Sequence, residues 1–222
     1  MQFNLFVDEL FHDPRYFWDV CITVVLSICL HELSHGIVAI WHGDRTPIET
    51  GHMTMNPLKH MGVMSLALLL MAGIAWGAMP VNPARLRGRH ARALVALAGP
   101  AANVILATLA ILGLGIWLRI QTPDSSGAAV DAAENFRYFL AVFATLNIAL
   151  AMFNLIPIPP LDGSRVLADF SSGYAQMMQS MRQGGGANIA FLVVFMFAGG
   201  YIVPAAVQIF QQALLFVRHG AF

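Results

Sequence analysis

The chain has 222 residues, 58% of them hydrophobic and only 11% charged, and its mean hydropathy is +0.67. A soluble globular domain carries about 25% charged residues, so this composition excludes an ordinary soluble protein and places the chain in a bilayer. Twelve Lys+Arg balance 12 Asp+Glu, which removes any net basic pull toward nucleic acid.

Residues 1–16 mix charged groups with Phe3, Leu5, Phe6, Leu10 and Phe11, as expected of a short segment lying at the membrane interface. Asp8, Glu9 and Asp13 stand where a cleaved signal peptide would be basic. The first apolar run covers Phe17 to Trp41, with Trp18 and Trp41 as interfacial aromatics. Cys21 and Cys29 both fall within it and read as buried thiols. Residues 42–60 are polar, broken by Gly, Pro and Asn, and alternate in a way that predicts an extended segment around Thr54. A second apolar run, Met61 to Met79, contains Gly62, Gly73 and Gly77. Arg85, Arg87, Arg89 and Arg92 then form the densest basic cluster. Further apolar runs follow at Ala93–Ile120, Phe136–Ile156 and Ile189–Phe216. About 20 apolar residues suffice to span, so all of these runs are candidates. No polar stretch is long enough for an extramembrane domain. The 12 methionines read as lipid-facing and core filler.

His31-Glu32-Leu33-Ser34-His35 lies inside the first run. An ionised side chain at mid-depth costs roughly 2.5–3.5 kcal/mol, so these groups need partners, and a metal ion supplies them. On a helix, His-Glu-x-x-His sets both imidazoles one turn apart on one face, within reach of one zinc, with Glu32 beside it as a candidate general base. A catalytic zinc takes three protein ligands and keeps one open position. Asp162 is the leading third ligand, since it follows Pro157-Ile158-Pro159-Pro160 and precedes Gly163, a chain break at the end of an apolar run. An ordinary Asp-Gly turn is the alternative. His52 and His60 rival it by chemistry, but both lie in a polar linker where a surface histidine is expected.

The pairing of Asp162 with the histidines constrains topology. If every run crosses fully, Asp162 ends on the surface opposite the histidines. If the glycine-rich run 61–79 dips in and returns, it ends beside them. That path leaves Arg15, Arg119, Arg137 and Arg218 on one side and the other eight of the 12 basic residues on the other; full crossing gives the less polarised split of 7 to 5. By the positive-inside rule, the active site then opens toward the cytoplasm and the N-terminus lies outside.

These residues resemble a known family. His31-Glu32-Leu33-Ser34-His35-Gly36, Gly99-Pro100-Ala101-Ala102-Asn103 and Asn154 to Gly163, in that order, resemble the site-2 protease family of intramembrane zinc metalloproteases, peptidase family M50. Met55 to His60 and Val81 to Arg87 look like its compact bacterial branch without a PDZ domain. The likeness covers about residues 17–170. It implies one Zn2+ held by His31, His35 and Asp162, with Glu32 as the catalytic glutamate. It also implies that Asn154 assists substrate or oxyanion binding, and that Asn103 is a polar residue near the site. Residues 42–60 resemble the family's membrane-associated β segment, which pairs with an unwound substrate. The implied partners are a transmembrane protein substrate and the lipid bilayer of the cell (inner) membrane; a homo-oligomer is compatible.

The expected fold is therefore an all-α polytopic membrane protein of about 4 to 5 transmembrane helices plus a re-entrant or β membrane-associated segment. It forms one domain over residues 1–222, with a catalytic core of about 17–170 and an extra C-terminal transmembrane helix at 189–217. A membrane metal transporter or a catalytically silent binding relative are the alternatives. The first does not need Glu32 between the histidines, and the second would have lost one of the four groups. Asn154 can also be read as a helix-end cap, Asn103 as tight helix packing, and the arginine cluster as a topology signal.

Overall fold

The computed structural model describes residues 5–120 and 128–220. Beyond short turns, its helices are α1 (Pro14–Trp41), α2 (Gly62–Ala72), α3 (Ala91–Ile120), α4 (Ala128–Asn154), α5 (Asp162–Phe170), α6 (Ser172–Gln183) and α7 (Gly186–His219). Four of these, α1, α3, α4 and α7, are long and apolar enough to cross a membrane.

Local chemistry sets the helix ends. Asp13 caps α1 by accepting from the Tyr16 N–H at 3.0 Å, and Pro14 occupies the first turn, where no amide donor is needed. Gly43, at φ 95°, turns the chain after α1. Helix α3 is the centre of the molecule and packs against α1, α4, α5 and α7. Its small residues, Ala91, Ala93, Ala96, Gly99, Ala107 and Ala110, are buried and let neighbouring backbones approach closely. Ala110, Ile111 and Leu114 of α3 meet Ala144 of α4 and Phe210 and Val217 of α7 in one apolar cluster. A second cluster joins Phe17, Cys21 and Ile28 of α1 to Met61 and Leu69.

One expectation is corrected, and one run that composition left as a candidate span is set aside. Among the described residues there is no strand, and the 42–60 stretch instead holds short helices at Thr46–Glu49 and Pro57–His60. Pro47 and Pro57 each open a helical turn, and Asn56 caps the second by accepting from the Leu58 N–H at 2.9 Å. The residues left between them have no neighbouring strand with which to pair. The run 61–79 is also not a span. Helix α2 has 11 residues, about 16 Å at 1.5 Å per residue, against roughly 30 Å of hydrocarbon. It stops at Gly73, φ 69°, and the chain then runs back without regular structure. Ser65 Oγ bonds both the N–H and the carbonyl of Trp76, and the Ala78 N–H donates to the His60 carbonyl at 2.9 Å. The two ends of the segment therefore meet.

Asp44 ties this returning chain to the loop after α1. It is fully buried and accepts from the Thr46 N–H (3.0 Å), the Thr46 hydroxyl (2.5 Å) and the Asn82 N–H (2.6 Å). Burial pushes its carboxyl up, but these hydrogen bonds outweigh burial and hold it below the usual carboxylate range.

Candidate metal centre

His31 and His35 lie one turn apart on α1, facing α3, and Asp162 is the first residue of α5. Leu161 and the preceding proline run end the α4 connection. Gly163 then allows the chain to fold back, because a Cβ there would collide with the Leu155 carbonyl. The result brings Asp162 Oδ2 to 3.1 Å from His31 Nε2 and 3.3 Å from His35 Nε2, while the two Nε2 atoms stand 3.0 Å apart. One ligand atom from each residue falls within 4.8 Å of the others, and all three residues are buried.

The outer nitrogens are engaged. His35 Nδ1–H donates to the Val95 carbonyl of α3 at 2.6 Å, and His31 Nδ1 lies 2.6 Å from Asn103 Oδ1, also on α3. With Nδ1 protonated, a neutral imidazole turns a bare lone pair inward at Nε2. Two such lone pairs and a carboxylate oxygen about 3 Å apart repel one another unless a cation stands among them. Space is provided as well: a Cβ on Gly99 would clash with His31 Nε2 and come within 2.5 Å of His35 Nε2. Donor set and cradle both fit a metal ion, and two imidazoles with one carboxylate suit zinc.

Glu32, 7% exposed, borders the same space. Its Oε1 would lie 2.7 Å from a Cβ placed on Gly77, so the returning chain after α2 runs directly across it. Glu32 and the three cluster residues line one cavity of about 1120 Å³. Phe153, Phe191 and Phe195 form an aromatic wall; Arg92, Arg165, Asp169 and Gln179 line another part. Arg165 reaches toward Asp162 Oδ1 at 3.5 Å.

Asn154 also lines the cavity, with its Nδ2 donating to the Leu150 carbonyl at 3.0 Å, a bond within its own helix. Asn103 is fully buried against His31. The rival ligands lie elsewhere: His52 and His60 face each other with ring centroids 6.4 Å apart. His60 is also no surface residue; it is 3% exposed, and its Nε2 lies 2.6 Å from the Thr54 carbonyl. Asn147 and Ser27, which extend the polar contacts away from Asn103, carry no motif. A lone asparagine in an apolar run was their available signal. The Val95 carbonyl had none, since any residue supplies one.

Several known proteins are similar to this chain. YwhC of Bacillus subtilis (strain 168) is 36% identical over 189 residues, covering 82% of this chain and 82% of its own length. Rip2 of Mycolicibacterium smegmatis is 36% identical over 148 residues, covering 63% of this chain and 52% of its own length. Rip2 of Mycobacterium tuberculosis (strain H37Rv) is 31% identical over 149 residues, 64% of this chain and 53% of its own. Each bears the name "Putative zinc metalloprotease". No solved structure matches significantly. The family model described as peptidase family M50 matches residues 20–132 and 119–199, so the likeness continues past Phe170, further than the motifs alone carry it. A buried two-histidine, one-aspartate cluster in a multi-pass membrane protein, together with that match, establishes that the chain belongs to peptidase family M50.

Proposed function

We propose that this chain is an intramembrane zinc metalloprotease of the site-2 type, cutting peptide bonds within or near transmembrane segments of membrane-protein substrates. The observation that carries the proposal is the meeting of His31, His35 and Asp162 beside Glu32, in the wall of a 1120 Å³ cavity among membrane-length helices. His31, His35 and Asp162 hold the zinc, which supplies Lewis acidity toward a water and the scissile carbonyl when bound. Glu32 takes the attacking water's proton on its carboxylate and passes it to the leaving amine, a role worth about 10²–10⁴-fold. Asn154 has one amide hydrogen bonded to Leu150 and offers the other to the substrate carbonyl oxygen. The helical substrate enters unwound, because its carbonyls are otherwise engaged in i to i−4 bonds.

The segment 61–79 is read as re-entrant, leaving and returning on the face where α1 ends, which agrees with the hydrogen bond joining His60 to Ala78. With the basic residues concentrated on that face, the site opens toward the cytoplasm and the N-terminus lies outside, in the cell membrane. The catalytic core covers about residues 17–170. The C-terminal span then serves as an added wall, a role supported by Phe191 and Phe195 at the cavity.

The test is zinc analysis and cleavage of a single-span substrate by reconstituted protein, wild type against Glu32→Gln. Glu32→Gln should keep its zinc and lose cleavage; a fully active Glu32→Gln enzyme overturns the role of Glu32. Zinc uptake into vesicles without cleavage would identify a transporter instead.

A further inference from the structure

A buried line of polar side chains runs from His31 through three helices, and two of its members, Asn103 and Ser27, also line the cavity. Asn103 Nδ2 of α3 donates to Asn147 Oδ1 of α4 at 2.8 Å, and Asn147 Nδ2 donates to Ser27 Oγ of α1 and to the Phe143 carbonyl, both at 2.9 Å. Asn103, Asn147 and Ser27 are each 0% exposed, so each polar group depends on its neighbours in the line for hydrogen bonds.

The direction of this line follows from its far end. The Phe143 carbonyl only accepts, so Asn147 must turn its NH₂ group there and its oxygen toward Asn103. Asn103 must then face Asn147 with its NH₂ group and His31 with its oxygen. An oxygen 2.6 Å from His31 Nδ1 requires the ring proton on Nδ1, leaving the Nε2 lone pair aimed at His35 and Asp162. Were Asn103 reversed, its NH₂ would face Nδ1, drive the proton to Nε2 and close that ligand position.

We propose that Asn147 and Asn103 are positioning residues whose fixed polarity, anchored on the Phe143 carbonyl, holds His31 in the tautomer that binds the metal. This inference rests on reading His31, His35 and Asp162 as the zinc site. It assigns a role to Asn147, which touches none of the three. Losing such an outer partner weakens metal affinity about 10–100-fold.

The test measures zinc affinity by chelator competition on full-length purified protein. Asn147→Leu should bind zinc about ten- to a hundredfold more weakly than wild type. Adding Asn103→Asp to it should restore binding, because a carboxylate has no N–H end to turn toward His31. A purely structural defect would not be repaired by burying a further charge. Equal affinity in wild type and Asn147→Leu, or a loss that Asn103→Asp fails to reverse, overturns the proposal. If Asn147→Leu does not fold, nitrogen NMR of histidine-labelled, metal-free wild type at alkaline pH decides. His31 protonated on Nδ1 supports the relay, and a proton on Nε2 overturns it. A wild type that takes up no zinc removes the site reading itself, whereas zinc-binding wild type with an unaffected Asn147→Leu removes only the relay.

Discussion

Gly99 faces the cluster so closely that even one added carbon would lie 2.5 Å from His35 Nε2 and overlap His31. Carbon and nitrogen cannot approach within about 3.5 Å without repulsion, and the backbone of a packed central helix has little room to yield. Gly99→Ala should therefore lose most of its zinc while keeping its helical content, measured by metal analysis and circular dichroism on the same sample. Full zinc occupancy in Gly99→Ala would show that the ion sits elsewhere. Gly77 is the corresponding residue on the opposite side. A Cβ there would lie 2.6 Å from Ile28 Cγ2 and 2.7 Å from Glu32 Oε1. Gly77→Val should displace Glu32 and cut cleavage while leaving zinc in place. That outcome separates the base from the ligands, and loss of zinc in Gly77→Val would contradict it.

Helices and loops contribute differently to the site. Helix α1 carries three of its four groups on consecutive turns, and α3 orients both rings through the Val95 carbonyl and Asn103. The loop after α1 and the chain returning from α2 are joined by Asp44, whose carboxyl is held below its ordinary value. A depressed carboxylate stabilises the fold above its unfolded pKa, near 3.8, and that contribution disappears as pH falls through the lower folded value. Asp44→Asn should accordingly cost about 1–3 kcal/mol at neutral pH. The melting difference from wild type should shrink below about pH 4. A difference independent of pH from 7 to 3 would show that the charge on Asp44 contributes nothing. The extended segment expected at 42–60 did not form, because the same prolines that break α-helices in mid-run begin short ones here. Alternation of polar and apolar residues over so few positions does not supply the neighbouring strand that pairing requires.

Across the whole molecule, the cluster ties α1 to the start of α5, residues 131 positions apart in the chain. Zinc bound by the folded state alone should stabilise it by about 2.7 kcal/mol at a hundred times its dissociation constant. The melting temperature of wild type should rise with added zinc and that of His35→Ala should not; an equal rise in both would place the stabilising ion at another site. Much of this was legible in the order of residues. Hydropathy alone marks α1, α3, α4 and α7, because a bilayer demands about 20 apolar residues per crossing. The spacing of His31 and His35 sets both rings on one face, because an α-helix repeats every 3.6 residues. The break before Asp162 marks a carboxylate presented where one helix has ended, and the structure makes it the first residue of α5. Tertiary structure alone decided the rest: that the stretch 42–60 forms short helical turns, that His60 is buried, and that Asn147, Ser27 and a backbone carbonyl stand behind the imidazoles. Spacing along a chain reports which groups share one helix. Which groups meet across helices depends on how small residues let those helices approach, and on which way each amide turns once packed.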